Sequence, residues 1–250
     1  MVLVHGTPDT SGAFAQVLTH LADLRVITYD RRGFGRSVHL PPPLTMAHHA
    51  ADLLAIVDQC AEQHGRPPVV VAHSFGSNPT MLAAIERPTA FAAVGLWEPP
   101  TCWVDWWVQS TKDHNQRVAN APDPGAEMED SLRRLLGNTA WEAMPPATQA
   151  RRRAEGTAYA LDMASILDAP FDFAKVAVPA VVGRGSETAP EHHFGAEWLV
   201  EQLPDAELYD IGGAGHFANR THPAEFAGFV RAAYARAHPQ ASISTTPQPL

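Results

Sequence analysis

Cysteine is nearly absent. Cys60 and Cys102 are the only two in 250 residues, and nothing in their setting suggests a disulfide framework or the paired ligand spacing of a zinc site. Both read as free thiols in a reducing compartment. Long apolar runs are missing too, so no stretch is built to cross a bilayer as a helix. The opening residues, MVLVHG, carry neither the basic region nor the apolar core of a secretory signal. A cytoplasmic protein is the expectation. Clustered basic residues are scarce: against a formal net charge of −9, the densest cationic run is Arg151 to Arg153, which reads as a solvated helix face. Neither nucleic acid nor an anionic membrane is therefore expected as a partner. No internal repeat occurs, and no motif calls for a metal, nucleotide or flavin cofactor.

What is present describes a globular chain with one core: 45% hydrophobic and 18% charged residues. Short β-branched runs alternate with longer segments of helical period, the pattern of an α/β protein whose mostly parallel, open sheet carries helices on both faces. The expected strands are Val2 to Val4, Arg25 to Tyr29, Val69 to Ala72, Ala92 to Trp97, Ala180 to Val182 and Glu207 to Ile211. Between the second and third, MAHHAADLLAIVDQCAEQHG places Ala47, Leu54, Val57 and Ala61 near one helix face and ends at Gly65, a C-terminal cap. After Trp97 the alternation stops. The following segment is Trp-rich, Pro-punctuated and helical, and VPAVVG then resumes the sheet. The expected organisation is a core over residues 1–98, a helical cap inserted at 99–178, core again at 179–237, and a polar, Pro-rich, disordered tail at 238–250.

The run VVVA is suited to a central strand buried on both faces, and it delivers Ser74 in the sequence Ala72-His73-Ser74-Phe75-Gly76. Small residues two positions either side of a serine allow a sharp strand-to-helix turn that leaves the hydroxyl exposed. On these five residues alone, Ser74 reads equally as a helix N-cap. Three further segments change the balance. VLVHGTPDTSGAF ends a strand in His5-Gly6 and turns through Thr7-Pro8. YDRRGFGRS is a Gly-punctuated turn after the next strand. IGGAGHFANRTHPAEF delivers His216 from a glycine-rich loop just past the last strand.

With these four segments in order, the chain resembles the α/β-hydrolase superfamily from Met1 to about Ala237. The resemblance implies Ser74 as nucleophile and His216 as its general base. It also implies the backbone N–H groups of Thr7 and Phe75 as the oxyanion hole. His5 then supports the oxyanion loop and His73 fills the elbow, while His48, His49, His192 and His193 read as exposed or rim residues. The third triad member departs from the commonest pattern, because GRGSET places Ser186 where relatives carry an aspartate. Glu187 next to it and Glu98 in VGLWEPP are the candidates. The resemblance favours Glu98, since in some α/β-hydrolases the acid follows that earlier strand and many small ones join an aromatic-Glu-Pro-Pro segment to a serine at the usual aspartate site; Glu98 also abuts the carboxyl edge of the sheet, where ligands of open α/β sheets gather. Relatives also begin with two additional strands. Met1 here falls inside the counterpart of their third, so a six-stranded sheet is expected, with Arg25 to Tyr29 as an open edge to which a second copy can pair. That shorter start, native or truncated, also casts doubt on stability.

A serine at the elbow excludes the haloalkane dehalogenase and epoxide hydrolase chemistries of this fold, which use an aspartate there. The expected activity is carboxylic ester hydrolysis, on a small to medium ester or lactone, through an acyl-enzyme on Ser74. A C–C bond hydrolase, a cofactor-free perhydrolase and a non-catalytic ligand-binding protein are the alternatives. Trp103, Trp106 and Trp107 stand at helical spacing in CWVDWWVQS. They are candidates to line an apolar substrate pocket, or equally to pack the cap onto the sheet.

Overall fold

A computed structural model describes residues 1–43, 45–167 and 171–238. Its six strands are β1 (Val2–Val4), β2 (Ile27–Thr28), β3 (Val69–His73), β4 (Ala93–Trp97), β5 (Ala180–Gly185) and β6 (Ala206–Ile211). They form one sheet in the order β2-β1-β3-β4-β5-β6, and every adjacent pair is parallel. β-Branched and small residues fill β3 and β4, which are buried along their whole length, as central parallel strands must be when helices cover both faces.

Alternate strand residues point to opposite layers. Val2, Val4, Val70, Ala72, Val94 and Leu96 meet helices α2 (Met46–His64) and α3 (Ser77–Glu86), and α9 (Pro190–Gln202) completes that layer. Leu3, Val71, Trp97 and Val181 meet α1 (Ala15–Thr19) and the Phe226/Phe229 face of α11 (Pro223–Ala237). Gly65 closes α2 at φ 68°, a left-handed cap that glycine adopts without strain. The buried face of α2 is Met46, His49, Ala50, Leu53, Leu54, Val57 and Cys60. Ala47 is exposed, so the stripe runs about one residue off the expected one. His49 is 3% exposed, not a rim residue, because its ring meets a buried ion pair described below.

β2 is shorter than the expected Arg25 to Tyr29, because its ladder with β1 comprises Val2↔Ile27 and Leu3↔Thr28. A groove of about 530 Å³ runs beside it, lined by Thr28, Tyr29, Asp52 and Ile56 among others. Between β4 and β5 lie α4 (Gln109–Ala119), α5 (Pro124–Leu136), α6 (Asn138–Glu142), α7 (Pro146–Ala154) and α8 (Gly156–Ser165). Their own core comprises Val118, Met128, Leu132, Trp141, Ala158 and Tyr159, and it continues into Phe34 and Phe75 of the sheet side. Gly33, at φ 83°, lets α8 come close: a Cβ there would lie 2.5 Å from that of Ala158. After β6 a loop and the short α10 (Ala218–Thr221) lead into α11. The expected disordered tail falls, from residue 239 on, outside the described residues.

Candidate active site

Two parallel strands, β3 and β4, end side by side, and each releases a polar residue. β3 ends at His73, which pairs in register with Trp97 at the end of β4. The next residue in each strand, Ser74 and Glu98, has a positive φ, 51° and 44°. These are the only non-glycine residues among those described with that backbone sign. Left-handed backbone at two side-chain-bearing residues is strain of the kind that persists where surrounding structure over-determines it. At Ser74 that structure is the elbow. A short 3-10 turn over Ser74–Gly76 runs directly into α3. A Cβ at Gly76 would stand 2.6 Å from the carbonyl oxygen of His5, and one at Gly6 would stand 3.0 Å from the Cβ of Ser74. The His5-Gly6-Thr7 turn therefore lies directly against the serine, and Phe75 follows within the elbow.

Glu98 is 1% exposed. Its Oε1 accepts a hydrogen bond from the Gly185 N–H at 2.8 Å. Its Oε2 accepts one from the Thr188 hydroxyl at 2.8 Å and lies 2.7 Å from Nδ1 of His216. With the carboxylate on Nδ1, the proton sits there and Nε2 is left with its lone pair. The carbonyl of His216 is pinned as well, by Nε1 of Trp97 at 3.0 Å and Nε2 of His73 at 2.9 Å. Glu187 is exposed, and its described contact is a backbone bond from its N–H to the Ala214 carbonyl at 2.8 Å. Ser186, at the position where the resemblance implies an aspartate, accepts a bond from the Gly213 N–H. The structure thus brings Glu98, not Glu187, to His216. Among the described residues the Ser74 hydroxyl makes no hydrogen bond to the His216 ring, a contact that commonly tightens only when substrate is bound.

Three histidine rings share this ground. His73 lies 5.0 Å from His216 between ring centroids, and His192, from the first turn of α9, stacks on it at 4.5 Å with 22° between the planes. Burial lowers His216 to about 4. Burial, assisted by the neighbouring His216, lowers His73 to about 4 and His192 to about 3. All three are neutral near pH 7. His192 is therefore part of the site's wall and not the rim residue expected from sequence, and nothing local in PEHHF signals its stacking. Glu98, His192 and His216 are the group among the described residues with metal-ligand proximity, their donor atoms lying within 4.8 Å of one another. Both Glu98 oxygens already serve N–H, hydroxyl and imidazole partners, so the carboxylate is committed to holding the histidine.

The three tryptophans do not share a helix. Residues 102–107 form turns, and α4 does not begin until Gln109. Trp107 is buried, edge-on to His192 at 5.4 Å, and so reaches the site through one intermediary. Trp103 packs on Phe171 and Phe173, and Trp106 on Phe194 and Trp198. Trp106 thus fastens the cap to α9, while Trp103 packs against the segment before β5. A cleft of about 270 Å³ does adjoin the site, between Pro8, which follows Thr7, and Phe217, which follows His216. Ser131, Leu135 and Tyr159 of the cap supply other walls, and none of the three tryptophans lines it. A larger cavity, about 390 Å³, opens beside Met1 and Val69, at the opposite ends of the strands.

The family model described as "Alpha/beta hydrolase family" matches residues 1–229. The chain belongs to the alpha/beta hydrolase family. Among curated relatives, a Mycobacterium tuberculosis protein named "Probable oxidoreductase EphD" is 42% identical over 81 residues, 31% of this chain and 13% of its own length. The chain thus spans only a small part of that relative. A pimeloyl-[acyl-carrier protein] methyl ester esterase of Chromobacterium violaceum is 27% identical over 239 residues, covering 90% of each chain. Among solved structures, an esterase from Thermogutta terrifontis superimposes with a TM-score of 0.72 at 23% identity, over 95% of this chain and 89% of its own, which shows the shared fold. Among the described residues, no helix is long and apolar enough to cross a membrane.

Proposed function

We propose that this alpha/beta hydrolase cleaves small to medium carboxylic esters or lactones through an acyl-enzyme on Ser74. His216 acts as general base and Glu98 as the acid that orients it. One observation carries the reading: the 2.7 Å contact between Glu98 Oε2 and His216 Nδ1, made from the strand end beside the one that presents Ser74. A neutral histidine anchored through Nδ1 is an imidazole with one free base, which is what an inert hydroxyl requires to become a nucleophile.

In the reaction, Ser74 Oγ forms a bond to the substrate carbonyl carbon while its proton passes to His216 Nε2. Glu98 stabilises the resulting imidazolium. The carbonyl oxygen becomes an oxyanion and is held by the Thr7 and Phe75 N–H groups. The tetrahedral species collapses, the bond to the alkoxy group breaks, and that oxygen takes the proton from His216. Water then repeats the sequence on the acyl-enzyme, losing its proton to His216, and the acid departs as Ser74 is reprotonated. The cleft between Pro8 and Phe217 suits one end of such a substrate, and its 270 Å³ volume favours a small one.

A panel of p-nitrophenyl esters of increasing acyl length tests this, with fluorophosphonate labelling alongside. Wild type is expected to turn over the shorter esters and to be labelled, and Ser74→Ala to lose both. Glu98→Gln should lower kcat by a factor on the order of 100 to 10,000, while Glu187→Gln behaves as wild type. A folded wild type that neither turns over any ester nor takes the label would end the reading.

A further inference from the structure

Arg31 has no part in the chemistry above, yet it is one of the most deeply buried side chains, 1% exposed. Its guanidinium lies between the rings of Phe34 and Phe75, 4.7 Å from each centroid. Nη2 donates to Asp162 of α8 at 2.8 Å, and Asp162 is itself 1% exposed. His49 Nε2 lies 2.9 Å from Nη1 and 2.9 Å from the other Asp162 oxygen. The remaining donors turn to the β1 end, Nε to the carbonyl of His5 at 3.1 Å and Nη2 to the carbonyl of Gly6 at 3.0 Å.

That last acceptor is the informative one. The Gly6 carbonyl and the Thr7 N–H belong to one peptide group, so a donor on the oxygen draws charge toward it and makes the N–H a stronger donor in turn. Gly6 O carries two such donors. Nε2 of His5 accepts the Arg31 main-chain N–H at 2.9 Å, so the ring's proton is on Nδ1, which lies 2.8 Å from the same Gly6 oxygen. With Arg31 and Asp162 shut away from water, the effect is not damped by solvent. Arg31 also packs against Phe75, the other residue whose N–H is assigned to the oxyanion.

We propose that Arg31 is a positioning residue for the oxyanion hole: with His5 it fixes and polarises the Gly6–Thr7 peptide so that the Thr7 N–H binds the tetrahedral oxyanion. The cap supplies the counter-charge, through Asp162, that allows a guanidinium to be buried at that point. The inference rests on the serine-hydrolase reading and makes a separate claim. Its signature is selective loss of transition-state binding with ground-state binding retained.

The test replaces both members of the buried pair, Arg31→Gln with Asp162→Asn, so that no unpaired charge is left inside. Turnover of p-nitrophenyl butyrate is measured together with inhibition by a trifluoromethyl ketone of the same chain length, which forms a tetrahedral oxyanion on the serine. The expected result is a cooperative melt, retained fluorophosphonate labelling, KM within about twofold, and kcat lower by about tenfold to a hundredfold, short of the loss typical for removing an oxyanion donor outright. Ketone affinity should fall by the same factor. If the double variant does not fold, Arg31→Lys carries the test. Its single ammonium cannot serve His5, Gly6 and Asp162 together, so kcat and ketone affinity should fall in parallel by about threefold to tenfold. A folded variant with unchanged ketone affinity, or one altered in KM alone, overturns the proposal. Absence of labelling in wild type would instead overturn the underlying reading.

Discussion

At Gly76 a single hydrogen is all the space allows. A Cβ would stand 2.6 Å from the His5 carbonyl oxygen and 2.9 Å from that of Val4, both backbone atoms that cannot swing aside. Gly76→Ala is expected to destabilise the fold by roughly 1–3 kcal/mol and, by pushing the β1 end away from the elbow, to reduce turnover in the fraction that folds. Denaturant melts and the same ester assay check both; unchanged stability would show that the two backbones do not meet as described. His216 gives a pH signature. Burial lowers it to about 4, and a base must be neutral to act. The acid limb of kcat/KM is therefore expected near pH 4, in place of the 6.5 of a free imidazole. A limb at 6.5 measured in short assays would contradict the buried setting.

At the scale of elements, α8 is tied to the sheet by acids with almost no access to water. Asp162 holds Arg31, and Glu155, just before the helix, accepts the Gly35 N–H at 2.9 Å. Asp162→Ala leaves a buried guanidinium uncompensated and should cost about 3–5 kcal/mol, a drop of roughly 10 °C in melting temperature for a chain of this size. A drop below a few degrees would mean that water reaches the site. Such ties were invisible in the sequence, because Arg31 and Asp162 stand 131 residues apart and an arginine in YDRRGFG looks like any surface turn. The strands were legible, because doubly buried parallel strands read as near-continuous apolar runs, and VVVA and AVVG are such runs. Ser74 and His216 stood out only through the resemblance carried by four segments together, since the five residues around Ser74 read equally as a helix cap. Glu98 was open to only partial reading: its place at a strand end was visible, its hydrogen bonds to Gly185 and Thr188 were not. The tryptophan segment misled, because a spacing of three and four suggests a helix, whereas residues 102–107 run through turns.

For the molecule as a whole, histidine burial sets the response to acid. His73, His192 and His216 lie at about 4, 3 and 4 in the folded chain, chiefly because burial disfavours the charged ring, and burial lowers His5 and His49 too. Unfolded, each takes up a proton near 6.5. Between that value and about 4 the unfolded state binds protons that the folded state refuses, so stability falls as pH falls through this window and levels off below the folded values. The melting temperature at pH 5 should be lower than at pH 7.5 by roughly 10 °C. Calorimetry across the window checks this, and a flat profile would mean that the rings are solvated.

The register of β3 and β4 has a consequence for how such a site can change. His73 faces Trp97 in the ladder, so the residues that follow them, Ser74 and Glu98, inherit their spacing from two neighbouring rows of backbone hydrogen bonds. Only the loop carrying His216 has to be aimed by side-chain packing. Two of the three positions are thus fixed by a lattice that any sequence forming this sheet reproduces, and the helices between β4 and β5 are free to be remodelled without resetting the distance between Ser74 and Glu98.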